Sequence, residues 1–335
     1  MQTTAALKAQ IAAQVAGCDN LAALQAPAIG QTSRKNELLM FLKPEIFNNG
    51  NPTAIQNSLD MIFQKLQDFN AEVAGAVIVG GQALEAQKCM DRHYGTINVL
   101  SRTASQVLSA EDRQKIYDTL GVAAADYPLY GGHEFQASHP GFTPAKLDEL
   151  WFTKKSMKIR SGFYVQAYEL NGEKFILING FHPAQLAHFT EPSHRIVLLL
   201  IHSDTNWATL RDELIGDTFP ERAAGVSIRG TFYADPARYG FASVSIANNC
   251  VHLSAGPFEG MFEIGNFFGG LMNIDVKSTQ PLIVRQMIAA GITADQAWQA
   301  IDNPTVTADG KTKDLYSLTE HKDTAPSIAI YQSSL

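Results

Sequence analysis

The sequence predicts a mixed α/β fold of the α+β kind. Strand-sized apolar runs, such as ELLMFL, VAGAVIVG and RIVLLLI, alternate with segments whose apolar residues recur at helical spacing. The resulting order is β-α-β-α, a long irregular middle, then β-α-loop-β-α. At 335 residues, 45% hydrophobic and 18% charged, the chain has ordinary globular composition and ample length for a large core.

The N-terminal stretch MQTTAALKAQIAAQVAGCDN is Ala-rich with helical period and is expected to be a helix. It lacks the basic start and apolar centre of a signal peptide. ELLMFLKPEIF (37–47) reads as a buried strand ending at Lys43-Pro44, and NNGNP breaks the chain. Residues 53–69 place Ile55, Leu59, Ile62, Phe63 and Leu66 on one helical face. EVAGAVIVGG (72–81) reads as a strand and ALEAQKCMDRHYG (83–95) as a helix stopped by Gly95. In the middle, FYVQAYELNGEKFILINGF is a hairpin turning at Asn171-Gly172, because both residues tolerate the positive φ that tight hairpin turns demand. HRIVLLLIH (194–202) is another buried strand, NWATLRDELIG a helix ending at Gly216, and the segment holding Ser-Ile-Arg-Gly a long loop. NNCVHLSAGPFEGMFEIGNFFG (248–269) supplies a short strand and an amphipathic helix. Two short helices are expected beyond 271, the second with a capping box from Thr293 and Gln296.

A net charge of −7 argues against a general nucleic-acid binder with a basic face. The cysteines Cys18, Cys89 and Cys250 are three and far apart, which suits a reducing compartment better than a disulfide framework. The longest apolar run, IVLLLI, is strand-sized, so no membrane association and a cytoplasmic location are expected.

The segments RDELIGDT, AAGVSIRGTF and NNCVHLSAGPFEGMFEIGNFF, in that order, resemble the second half of nucleoside diphosphate kinases. That family carries a leucine-glycine-x-threonine, a glycine-threonine-isoleucine-arginine-glycine, and an asparagine-x-x-histidine-glycine-serine followed by a glutamate-bearing helix. Lys43-Pro44-Glu45 is similar to its lysine-proline-aspartate strand end, and His93-Tyr94 to its histidine-tyrosine. The resemblance covers 36–100 and 192–270. It implies a ferredoxin-like antiparallel sheet core with helices, interrupted by an insertion at 101–190 and flanked by an N-terminal helical extension at 1–35 and a C-terminal extension at 271–335. It also implies Mg2+ carried by the nucleotide, ATP and nucleoside diphosphates as partners, and a homo-oligomer.

The chemistry of the residues agrees. Imidazole is neutral and nucleophilic near pH 7, so His252 can accept a phosphoryl group and release it. A carboxylate such as Glu263 can hold one ring nitrogen and direct the other. Ser254 completes the motif, and Glu259, one turn before Glu263, reads as solvated. Lys43, Arg211 and Arg229 are candidates for phosphate oxygens, Thr218 offers a hydroxyl, Asn249 an amide for sugar hydroxyls, and Tyr94 a phenol. Gly225 and Gly230 would let the backbone beside Arg229 approach a ligand.

Some positions depart from the family. Arg211 lies one residue too far from the threonine, a shift that turns a helical side chain by about 100°. Leu253 and Ala255 replace a glycine and an aspartate, and the phenylalanine pair that stacks on the base is missing after Tyr94. The insertion, with Tyr127, Tyr130, Phe135 and Phe142, is expected to contact the base or cover the entrance; the alternative is an oligomer contact. His133 and His139 with Glu134 lack the further ligands of a metal site. Neither a GxxxxGK[ST] loop nor a G-x-G-x-x-G is present. The expected activity is phosphoryl exchange between nucleotides through His252; the alternative is a nucleotide-binding regulatory module that kept the fold without turnover.

Overall fold

The computed structural model describes residues 3–308 and 310–335, so the first two residues of the expected N-terminal helix, and Asp309 of the C-terminal extension, lie outside the described residues. The chain forms two compact units, Met1–Gln87 with Glu191–Leu335, and Lys88–Thr190. Its strands are β1 (Leu21–Gln25), β2 (Asn36–Leu42), β3 (Ala71–Gly80), β4 (Leu129–Gly131), β5 (Met157–Arg160), β6 (Phe163–Leu170), β7 (Glu173–Ile178), β8 (Arg195–Ser203), β9 (Val251–Leu253), β10 (Thr305–Ala308) and β11 (Lys311–Asp314). With antiparallel sheets and many helices, the architecture is α+β.

The first unit is built on a five-stranded sheet in the order β1-β3-β8-β2-β9, antiparallel at every pairing. β2 and β8 lie inside it and are buried along their whole length, which explains why they read as unbroken apolar runs. The helix Pro52–Asp68 covers one face with Ile55, Leu59, Ile62, Phe63 and Leu66. Pro52 opens it, and the Asn51 side chain accepts from the amides of Thr53 and Ala54, satisfying two orphan donors. The helix Pro257–Ile264 packs against β2.

Several elements differ from the expectation. LAALQ is strand β1, because pairing with β3 outweighs the helical propensity of Ala, Leu and Gln. The helix expected over 83–95 is broken: one piece runs Gly81–Ala86, Lys88 takes a left-handed conformation at φ 52°, and a second piece runs Cys89–His93. Gly95 does not stop a helix but opens the next, Gly95–Val107. The Ser-Ile-Arg-Gly segment is the start of a helix, Ile228–Ala234, with the Ser227 side chain as its N-cap on Gly230 N. The tail holds more than two helices, together with the hairpin β10–β11.

That tail is tied to the sheet. Glu37 Oε1 accepts from Leu282 N at 3.1 Å, while its Oε2 accepts from Gly30 N at 2.7 Å and lies 3.0 Å from His202 Nε2. Asn36 Oδ1 accepts from the Thr324 hydroxyl at 2.9 Å, and Asp323 Oδ1 accepts from Trp207 N at 2.6 Å.

The second unit has a four-stranded sheet, β4-β7-β6-β5, antiparallel except for the β4–β7 pair. Asn171 and Gly172, at φ 53° and 83°, close the β6–β7 hairpin. Tyr127 and Phe135 are buried in its core, and Tyr130 and Phe142 pack on Phe135.

Candidate active site

β9 brings His252 into place. Its register sets Phe41 of β2 opposite His252, flanked by the pairs Met40–Leu253 and Leu42–Val251. The His252 ring stacks on Phe41 with centroids 4.4 Å apart and planes 19° apart. On the helix that follows, Glu263 is fully buried, and its Oε1 lies 2.6 Å from His252 Nε2. The other oxygen, Oε2, accepts from the buried Ser254 hydroxyl at 2.5 Å. Ser254 Oγ in turn accepts from Leu39 N at 3.1 Å, so the serine is fixed by β2 itself. An ionised carboxylate only accepts, which assigns the imidazole hydrogen to Nε2 and the lone pair of the neutral ring to Nδ1. Trp207, fully buried, adds support from behind by donating its indole N–H to Ser254 O at 2.9 Å.

The cations reach this strand through its backbone. β9 ends the sheet, so one row of its polar groups has no strand partner. Arg229 Nη2 donates to Val251 O at 2.9 Å, and Arg211 Nη1 donates to Leu253 O at 2.5 Å. The residues on either side of His252 therefore each hold a guanidinium. Arg229 is 4% exposed, and its Nη1 donates to Gly216 O at 2.9 Å. The Nε of each arginine is buried without a hydrogen-bond partner. Burial, followed by the charge of Arg211, pulls the Arg229 pKa down to about 9, so it is still protonated at neutral pH.

Arg211 reaches this position despite its one-residue displacement, contrary to the rotation expected for a regular helix. Residues Leu210–Ile215 form a π-helical turn, with Gly216 N bonded to Arg211 O at 3.0 Å, five residues back. A π turn absorbs one extra residue without rotating what lies beyond it.

Lys43 follows β2, and its ammonium donates to Asn249 Oδ1 at 2.6 Å. Desolvation is the main cause of a lowered Lys43 pKa; Glu45 opposes it, and Arg229 adds to it. Cys250 holds the loop beside them. Its amide donates to Glu45 Oε1 at 2.7 Å, its carbonyl accepts from Lys43 N at 2.8 Å, and its φ is 66°. A cysteine in the left-handed region is strained, and two hydrogen bonds to the strand end keep it there.

The structure places the other candidates as follows. Asn249 Nδ2 donates to Thr218 O at 3.3 Å and to Ile246 O at 3.4 Å, so its amide binds protein at both ends. Thr218 is exposed. Glu259 is not simply solvated, because its Oε2 accepts from Ala255 N at 2.6 Å. A Cβ at Gly230 would lie 2.1 Å from Ala224 O, so this glycine admits the chain's own backbone, and Gly225 has open space. Tyr94 belongs to the second unit, where it packs on His182 and Phe189. His133 Nδ1 lies 2.8 Å from Ser101 Oγ and His139 Nε2 3.0 Å from Glu173, while Glu134 accepts from Gly131 N. Sequence reasoning missed Phe41 and Trp207. Both read as ordinary core residues, and no local signal links either to His252.

No family model matches the chain, and no curated protein matches it. A solved structure, an NDP kinase from Pyrobaculum aerophilum, aligns over 70% of this chain and 95% of its own, at 17% identity and a TM-score of 0.33. Similarity at that level leaves fold and function to be argued from the residues above. Among the described residues, no helix is long and apolar enough to cross a membrane.

Proposed function

We propose that this protein is a nucleoside diphosphate kinase-like phosphotransferase on a ferredoxin-like core, working through a phosphohistidine on His252. The carrying observation is an imidazole held at Nε2 by a buried carboxylate, with the two neighbouring carbonyls each occupied by an arginine. The order of β2, β3, β8 and β9 within the sheet, β3-β8-β2-β9, supports the core assignment, since it is the arrangement of a split βαβ pair.

The Nδ1 lone pair attacks the terminal phosphorus of a nucleoside triphosphate in line with the bond that breaks, and the diphosphate leaves with that bond's electrons. Nε2 keeps its hydrogen, so positive charge develops on the ring and the Glu263 carboxylate stabilises it. A nucleoside diphosphate then takes the phosphoryl group from Nδ1 by the reverse displacement. Charge on the transferring oxygens calls for fixed donors. Arg211 and Arg229, anchored on the β9 carbonyls, hold two guanidinium charges on the strand that carries His252, and Lys43 brings a third cation. Magnesium would come with the nucleotide as part of the substrate and would offset phosphate charge, while Lys43, Arg211 and Arg229 are the cations the chain itself supplies.

The test is labelling with γ-32P-ATP. The expected product is a base-stable, acid-labile phosphoenzyme that a nucleoside diphosphate discharges, and that His252→Ala does not form. Nucleotide binding without label would leave only the binding-module reading. Label retained in His252→Ala would remove His252 as the acceptor.

A further inference from the structure

Phe41 is 1% exposed and lies on the strand that pairs with β9, directly opposite His252. Its ring meets the imidazole nearly parallel, and on another side it meets Phe267, with centroids 5.7 Å apart and a 51° tilt that fixes its own orientation. The imidazole is thus constrained in two independent ways. Glu263 fixes its direction within the ring plane by holding Nε2. Phe41 fixes the plane itself. A histidine restrained only by a carboxylate could still rock about that hydrogen bond, and an in-line displacement tolerates little rocking.

We propose that Phe41 is a positioning residue for His252: its ring face sets the imidazole plane for in-line attack and stabilises the positive charge that the ring acquires. The attraction is that of a cation for the negative face of an aromatic quadrupole. This rests on the phosphohistidine reading for its functional consequence. The stack and its effect on the ring charge stand independently of it. The charged groups around His252 in this unit include Glu263 at Nε2, Arg211 and Arg229 on the adjacent carbonyls, Lys43 after β2 and Glu259 one turn before Glu263. Replacing Phe41 by an apolar residue alters none of them.

The experiment compares the full-length protein with Phe41→Leu and Phe41→Met, using two readouts. NMR titration of the His252 ring should show protons shifted upfield by the stacked ring in the wild type. In both variants that shift should disappear, and the midpoint should fall by about half a unit, the size of a cation–π contact. Single-turnover labelling with ATP should slow by about two- to fivefold at saturation, with nucleotide KM unchanged. Phe41→Tyr, which keeps the π face, should titrate like the wild type. If neither variant folds, the upfield shift in the wild type still decides whether the stack exists, and its absence overturns the proposal. Folded variants with the wild-type midpoint and labelling rate would make Phe41 mere packing. A wild type that takes no label fails the phosphotransfer reading, while the titration still decides the role of Phe41.

Discussion

Lys43 and Arg229 carry positive charge into surroundings where burial penalises it, which is characteristic of residues kept for a ligand rather than for stability. For Lys43 the consequence is testable. Its pKa in the folded chain is below the unfolded value, so the unfolded chain binds more protons between the two. The charged amine therefore subtracts from stability at pH values below its folded pKa, and the penalty fades as pH rises through it. Lys43→Met should raise the melting temperature at pH 7, raise it less at pH 10, and lower phosphoryl transfer by about a hundredfold or more. Differential scanning fluorimetry at the two pH values checks the first part, and nucleotide exchange the second. In the proposed mechanism, the Glu263 carboxylate would stabilise the positive charge that the His252 ring acquires. Glu263→Gln keeps a hydrogen-bond acceptor for Nε2 but removes its negative charge. It should slow phosphoenzyme formation by about ten- to a hundredfold, the worth of the charge in a charge-assisted hydrogen bond, whereas His252→Ala abolishes it. Equal losses in the two variants would show that Glu263 does more than stabilise charge.

At the scale of elements, the turn Leu210–Ile215 decides whether Arg211 belongs to the site. Gly216 ends it at φ 92°, and a Cβ there would lie 2.4 Å from Ser227 Oγ, the N-cap of the helix carrying Arg229. Gly216→Ala should therefore disturb both arginines. It is expected to cost about 1–3 kcal/mol in stability and to weaken nucleotide binding, measurable by thermal unfolding and calorimetry. The Trp207 indole is the second device. Trp207→Phe leaves Ser254 O buried without its donor, at a cost of about 1–3 kcal/mol. It should slow transfer with little change in KM, because the fully buried serine acts through its hydrogen bond to Glu263. A rise in KM alone would contradict that placement.

At the scale of the whole molecule, the second unit has its own pH dependence. Burial lowers both His133 and His182 to about 4 from an ordinary 6.5. Unfolding restores the higher value, so between these limits the unfolded chain binds protons that the folded unit does not. Stability is then lost as pH falls from about 6.5 towards 4, by an amount on the order of several kcal/mol for the pair. Hydrogen exchange should show protection in β6 and β7 falling between pH 7 and pH 5, and the double variant His133→Gln, His182→Gln should flatten the change. The first unit has its tail woven into the sheet through Asn36, Glu37 and Trp207, so removal of 271–335 should unfold it rather than trim it.

By itself the sequence determined the short-range features. Apolar period placed the helix that begins at Pro52 and the strands β2, β3 and β8, and Asn171-Gly172 placed the hairpin, because each depends on residues a few positions apart. The histidine, the glutamate eleven residues later and the three cations were legible as residue types in order. What only the tertiary structure decided depends on segments far apart in the chain. β1 is a strand because β3 is beside it. Phe41 meets His252 because β2 and β9 are neighbours, a pairing that neither segment encodes alone. Arg229 and Arg211 sit beside the histidine because β9 is the last strand of its sheet, and its outward carbonyls must find donors. Local propensity acts through neighbours along the chain, whereas a strand edge and the face of a ring acquire their partners only when the sheet closes around them.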